Sequence, residues 1–349
     1  MTYRIAPILI AALFLSACQT GAPRGEQAVD DGEAAAELVA QFDMPNLTLA
    51  ANEQQLGLAV REIGEQAGGS LALMNGVETE IIRDINYSGA QYRSVVNGIA
   101  QRAQCAVQTA PGYFFIYPPG YERLTHISLS GQLPQHYNAI TAELAAGSGR
   151  PLFELFAWLG HALDVTVVAD NEVADARAGE LALAEIPLQH VLEAALKSAR
   201  VAHFYVDSSD EYIFLYSGRQ GNRRDMLLNP GALTPEQESM LNRRVDVYLP
   251  HPPANPDALE VYDGARPLKD VLGILSQQLG VLVVAQPSQA GRAPGAPGLE
   301  DFPVNPAALN NVRVRTALNL LIRQWLTPEY GYQVTHDRIV IRRRSAAEM

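Results

Sequence analysis

Arg150-Pro151-Leu152-Phe153-Glu154-Leu155-Phe156-Ala157-Trp158-Leu159-Gly160-His161-Ala162-Leu163-Asp164-Val165-Thr166-Val167-Val168-Ala169 decides the fold of this chain, because its pattern returns as Arg266-Pro267-Leu268 through Ala285. Apolar residues fall at Leu152, Leu155, Phe156, Leu159 and Leu163 in one copy, and at Leu268, Val271, Leu272, Leu275 and Leu279 in the other. That i, i+3, i+4, i+7, i+11 spacing is one face of an α-helix. Each stripe then gives way to a β-branched run, Val165-Thr166-Val167-Val168-Ala169 or Val281-Leu282-Val283-Val284-Ala285, whose continuity predicts a buried strand. The proline opening each copy suits the first turn of a helix, where its missing N–H costs nothing.

Working outward, the second half of each copy repeats as well. Val191, Leu192, Ala195, Leu196 and Ala199 form a helical stripe. Ala202 to Val206 and Tyr212 to Tyr216 follow as a hairpin turned at Asp207-Ser208-Ser209-Asp210. Val314, Leu318, Leu321, Ile322 and Trp325 make the matching stripe, and Tyr330 to Thr335 with Arg338 to Arg342 its hairpin. A weaker copy lies nearer the N-terminus: helices at Leu56 to Ile63 and Tyr92 to Ala103, a strand at Ser70 to Met74, and a hairpin of Cys105 to Thr109 with Tyr113 to Tyr117. Apolar segments precede the first helices at Leu47 to Ala51, Ala139 to Ala145 and Ala258 to Tyr262, and the second helices at Ile82 to Tyr87, Glu180 to Ala184 and Ala307 to Val312.

The order in each copy is β-α-β followed by β-α-β-β, which predicts an α+β fold of three tandem small domains at residues 45–119, 136–218 and 245–344. Units of this size lie near the lower limit for independent folding, so neighbours are expected to share surface within an elongated array. Residues 219–244 form a connector, in which Thr234-Pro235-Glu236-Gln237 marks a capped helix start. The third unit carries an insertion at 287–306, too rich in Pro, Gly and Ala to pack alone. It is either an inert loop or a partner-recognition loop with Phe302 as apolar contact. The basic runs Arg223-Arg224, Arg243-Arg244 and Arg342-Arg343-Arg344 are solvated faces or, for Arg342, Arg343 and Arg344, contacts for an acidic partner.

Charge and chemistry exclude several classes. A net charge of −12 argues against nucleic-acid binding and against docking on anionic lipid. Two cysteines, Cys18 and Cys105, leave no zinc site of the cysteine type. Cys105 opens an apolar strand-like run and reads as a buried, inert thiol. No nucleophile elbow, Ser-x-x-Lys, His-Glu-x-x-His or phosphate-cradling glycine loop occurs, so no catalytic residue and no cofactor is assigned. His161 with Asp164, and His190 with Glu193, have ligand-like spacing but read more simply as exposed polar faces of helices; Gln277 holds the place of His161 in the third unit.

Two resemblances add to this. Arg4, the apolar run Ile5 to Phe14 and small residues before a cleavage point form a secretory signal peptide over residues 1–17. Its end, Leu15-Ser16-Ala17-Cys18, resembles the lipobox of bacterial lipoproteins, which implies lipidation of Cys18 and a membrane tether through residues 18–44. Gln19 after the cysteine implies an outer-membrane, periplasm-facing lipoprotein rather than an inner-membrane one, away from ATP and NAD(P)H. The three-unit pattern resembles the short N-terminal domain shared by secretins and TonB-dependent receptors, without the pore or barrel that follows there. That resemblance implies a non-enzymatic envelope adaptor or accessory of a secretin-type secretion or pilus-assembly system, bound to envelope proteins or to other copies of itself. The alternatives are a signal-relay module of a TonB-dependent system and an enzyme acting on an envelope polymer.

Overall fold

The computed structural model describes residues 46–218, 224–249, 266–286, 298–305, 307–325, 329–345 and 348. The signal peptide, Cys18, the tether, the segment Ala258 to Tyr262 and most of the 287–306 insertion lie outside the described residues.

The first unit runs β1 (Leu47–Gln55), α1 (Leu56–Ala67), β2 (Leu71–Leu73), β3 (Ile81–Ala90), α2 (Tyr92–Arg102), β4 (Ala106–Ala110) and β5 (Tyr113–Tyr117). Two 3₁₀ turns, Glu122–His126 and Gln135–Ala139, lead into the second. That unit is β6 (Thr141–Ala146), α3 (Leu152–Leu163), β7 (Val167–Ala169), α4 (Asn171–Ala174), β8 (Leu181–Pro187), α5 (Leu188–Ser198), β9 (Tyr205–Ser208) and β10 (Ile213–Tyr216). After α6 (Pro235–Leu241) comes the third: β11 (Arg244–Leu249), β12 (Arg266–Pro267), α7 (Leu268–Leu279), β13 (Leu282–Ala285), β14 (Pro303–Val304), β15 (Ala307–Arg313), α8 (Val314–Trp325), β16 (Tyr330–Val334) and β17 (Arg338–Arg343). The fold is α+β, with small open sheets.

All three units share one topology. An antiparallel ribbon, β1 with β3, β6 with β8 or β11 with β15, is bulged at the same point: between Leu47 and Leu49, Ala142 and Leu144, or Val245 and Val247. A hairpin then places the last strand beside the short strand that follows the first helix, and parallel to it: β5 beside β2, β10 beside β7, β17 beside β13. The first helix ends each time on a left-handed residue, Gly68, Asp164 or Gly280. Glycine adopts that conformation freely and aspartate tolerates it.

Several expectations are corrected. Among the described residues, the strand that pairs with β15 is Arg244–Leu249. Its alternation buries Val245 and Val247 against the core and turns Asp246 outward, as a half-buried strand requires. The prolines Pro151 and Pro267 precede the first helical residue instead of occupying the first turn, because each pairs with a crossing segment, at Arg177 or Pro303. Strand β9 begins at Tyr205, not Ala202, since the left-handed Arg200 is followed by a short loop. The connector belongs to the third unit: Leu228 N–H donates to Tyr332 O, Tyr332 N–H to Met226 O, and Met226, Leu228 and Leu241 are buried. Thr234 caps α6 as its spacing predicts, accepting from Gln237 N–H while the Gln237 side chain accepts from Thr234 N–H.

The described residues form two hydrophobic cores, not three. Strand β2 pairs with β8, Leu71 opposite Ala182, so the first two units share a five-stranded sheet and one core running from Leu47 to Leu215. The third unit builds the second core and draws in Val168, Phe214 and Tyr216 from the back of the second unit's sheet.

Candidate functional site

The units meet through one joint, built twice. At the first, a Cβ placed on Gly64 of α1 would lie 2.6 Å from the Ala182 Cβ of β8; at the second, one on Gly160 of α3 would lie 2.7 Å from the Ala308 Cβ of β15. Only glycine lets the incoming strand approach this closely. The hydroxyl just before the short strand, Ser70 or Thr166, accepts a backbone N–H from the bulged strand, Ala184 at 2.9 Å or Asn310 at 2.8 Å. Asn310 adds side-chain donations to Gly160 O at 2.9 Å and Val165 O at 2.5 Å, which satisfies its buried amide.

Beside the first joint lies a cleft of about 760 Å³, lined by α1 on one side and by β6, β8 and the loop Gly147–Pro151 on the other. Its floor is small, with Gly64, Gly68, Ala145 and Ala182. Its inner charges are matched: Arg61 Nε donates to Glu180 Oε1 at 2.7 Å, Ser148 N–H donates to the other Glu180 oxygen, and Arg150 stands 3.8 Å from Glu154. Burial raises the Glu154 carboxyl pKa, against the pull of Arg150 and Arg177. Glu65, Glu143 and Glu185 are exposed at the rim. The arrangement holds the walls together and offers an acidic, open-mouthed groove. A shallower hollow of about 330 Å³, lined by Arg123, His126, His203 and the exposed Tyr205, lies elsewhere.

The residues singled out by sequence are dispersed. Phe302 is half-buried against the third unit's core, and its carbonyl accepts the Leu268 N–H at 2.8 Å. Glu80 and Ala176 do the same for Leu56 and Leu152, so Phe302 is part of the repeated framework. Arg342 pairs with Glu348 and Arg343 with Glu329. Arg344 is 4 % exposed, and its Nε donates to Tyr330 O. Arg344 is thus buried and Arg342 partly so within the third unit, while Arg343, paired with Glu329, stands exposed.

Of the two His-x-x-acid pairs, the one at His190 and Glu193 differs from the expectation of exposed helix faces, whereas Asp164 is exposed and His161 half-buried. Glu193 is 3 % exposed and accepts the Leu129 N–H at 2.6 Å, with His190 at 3.2 Å. Its neighbour Lys197, 2 % exposed, donates to Gln108 Oε1 at 3.2 Å and lies 5.4 Å from the Tyr113 ring centre. Burial lowers the Lys197 pKa to about 8, although the Glu193 carboxylate pulls the other way. His161 stacks on Tyr248, ring centres 4.6 Å apart, while Asp164 ends its helix. Cys105 is half-buried, and burial raises its thiol pKa.

Sequence reasoning missed Ser70, Thr166 and Asn310. Aligning the repeats places Ser70 and Thr166 in one column, but only the fold shows what they hold. Among the described residues, no group of three or more His, Cys, Asp or Glu could hold a metal ion, and no helix is long and apolar enough to cross a membrane. No protein family, no curated protein and no solved structure matches the chain.

Proposed function

We propose that this chain is a non-enzymatic envelope lipoprotein, tethered through Cys18, that serves as a protein-interaction adaptor of a secretin-type secretion or pilus-assembly machine. The observation that carries this reading is the repeat itself. One β-α-β/β-α-β-β unit, of the pattern that resembles secretin N-domains, is built three times and joined twice by the same contacts. Such an array presents open sheet edges and a groove suited to an extended partner segment. The cleft supports binding more readily than turnover, because its inner carboxylates are tied to arginines, with the Arg61–Glu180 pair spanning the joint.

The test is crosslinking of the full lipidated protein in cells, with mass spectrometry of what is captured. A secretin, pilus or secretion-machine component is the expected catch, and deletion of the gene is expected to impair secretion or piliation. Normal secretion in the deletion strain refutes this reading. Capture of a TonB-system protein favours signal relay.

A further inference from the structure

One difference between the two joints lies beside the cleft. In each ribbon the strand opposite the bulge sets one residue against the joint alanine: Ala145 against Ala182 in the second unit, Tyr248 against Ala308 in the third. The tenth residue of the helix over that position is Glu65 in α1 and His161 in α3. At the second joint the Tyr248 ring covers this spot, stacked on the His161 imidazole with ring centres 4.6 Å apart and planes 29° apart. At the first joint Ala145 and Glu65 both line the cleft, and no aromatic residue does.

We propose that the first joint is a docking site for a peptide segment of a partner protein that presents an aromatic side chain flanked by cations, its ring resting over Ala145 as Tyr248 rests at the second joint. This deepens the reading of the chain as a protein-binding module and rests on it. The occupant's shape follows from the internal comparison. The chain itself shows what covers this position when it is covered, and the glycine and alanine floor leaves room for a flat ring to make broad apolar contact. The occupant's charge follows from the rim. Glu180 and Glu154 inside the cleft already have arginine partners, whereas Glu65 and Glu143 stand exposed at its mouth. The lining holds five glutamates against three arginines, and the exposed Arg177 donates to the Gly149 carbonyl. A lysine or arginine on either side of the ring would therefore meet Glu65 and Glu143, and an acidic segment would be disfavoured.

The experiment titrates the full chain with acetyl-Ala-Lys-Tyr-Lys-Ala-amide, following the Gly64 and Gly68 amide resonances by NMR. Saturable shifts are expected, with affinity at least tenfold weaker when alanine replaces tyrosine in the peptide. The double variant A145Y/E65H, which rebuilds the second joint's stack inside the first, is expected to lose at least tenfold in affinity without a lower melting temperature. Should that variant fail to fold, E65K/E143K supplies the independent check, since it is expected to prefer acetyl-Ala-Glu-Tyr-Glu-Ala-amide. Absence of shifts, equal binding of the tyrosine and alanine peptides, or undiminished binding by the plugged variant overturns the proposal. A secretion component still captured by the plugged variant in cells overturns the cleft as the dock while leaving the adaptor reading intact. Peptide binding by a chain that captures no such component does the reverse.

Discussion

Two buried cations show how single residues bind the units together and at what cost. Arg323, 4 % exposed, donates to Asp207 Oδ2 at 2.6 Å and lies 4.2 Å from the Phe214 ring centre, so one side chain from α8 fastens the second unit's hairpin by charge and by its flat face. Glu211, in the same hairpin, takes Arg313 at 2.8 Å and Arg244 at 3.2 Å. Lys197 is different: it is buried with weaker compensation, and its folded pKa falls from 10.5 to about 8. Between those two values the unfolded chain binds a proton that the folded chain has released, so stability rises with pH across the window. Wild type is therefore expected to gain on the order of 2 kcal/mol over K197M between pH 7.5 and 9.5, a range below the tyrosines whose burial raises their own pKa. Urea titrations at the two pH values check this, and an unchanging difference between the two proteins refutes it.

At the scale of elements, the first helix of each unit carries the decisive contrast in its glycines. Gly160 of α3 leaves no space: an added Cβ would meet Ala308 Cβ at 2.7 Å and the Val165 carbonyl at 3.0 Å. Gly273 of α7 has nothing within 4 Å of such a Cβ. Gly160→Ala is accordingly expected to destabilise by about 1–3 kcal/mol through strain at the second joint. Gly273→Ala is expected to stabilise by roughly 0.5–1 kcal/mol, because alanine is the better helix former and meets no neighbour. Thermal melts of the two single variants should move in opposite directions; a shift of the same sign would deny the joint its glycine requirement. The bulge belongs to this scale as well. Its extra residue lies on β8 or β15, opposite the step from Ala142 to Leu144 or from Val245 to Val247, and it frees the N–H of Ala184 or Asn310 to turn to Ser70 or Thr166.

For the whole molecule, the two cores set the expected cooperativity. The first two units share a sheet and a continuous core, whereas the third borrows Val168, Phe214 and Tyr216 across its joint. Residues 46–218 are therefore expected to fold alone and to unfold in one transition, while residues 46–119 stay unfolded for want of the β8 neighbour that completes their sheet. Circular dichroism in urea distinguishes these outcomes, and a cooperatively folded 46–119 fragment refutes the shared core. The outer faces of the array lack the parts of the joint. Asn86 stands where the inserted ribbons carry Ala182 and Ala308, Ser276 where the receiving helices carry Gly64 and Gly160, and Leu282 where Ser70 and Thr166 stand. A further unit would meet side chains where the internal joints have space.

By itself the sequence determined the α+β class, the long helices and most strands, because a helix stripe or an alternating strand is a local record of which side faces the core. Leu152 to Leu163 and Leu268 to Leu279 were legible for that reason, as was the cap at Thr234. Tertiary structure alone decided how the units meet. A glycine that admits a neighbouring strand is written like any other glycine, and the bond from Asn310 to Thr166 joins residues distant in sequence. The partners of the arginines at 342–344, Glu348, Glu329 and the Tyr330 carbonyl, were likewise not legible. The cleft was invisible too, since its lining comes from α1, β6, β8 and the Gly147–Pro151 loop, which only the fold brings together. Burial patterns are short-range and survive in one dimension, whereas space left unfilled between elements depends on all the surfaces that surround it.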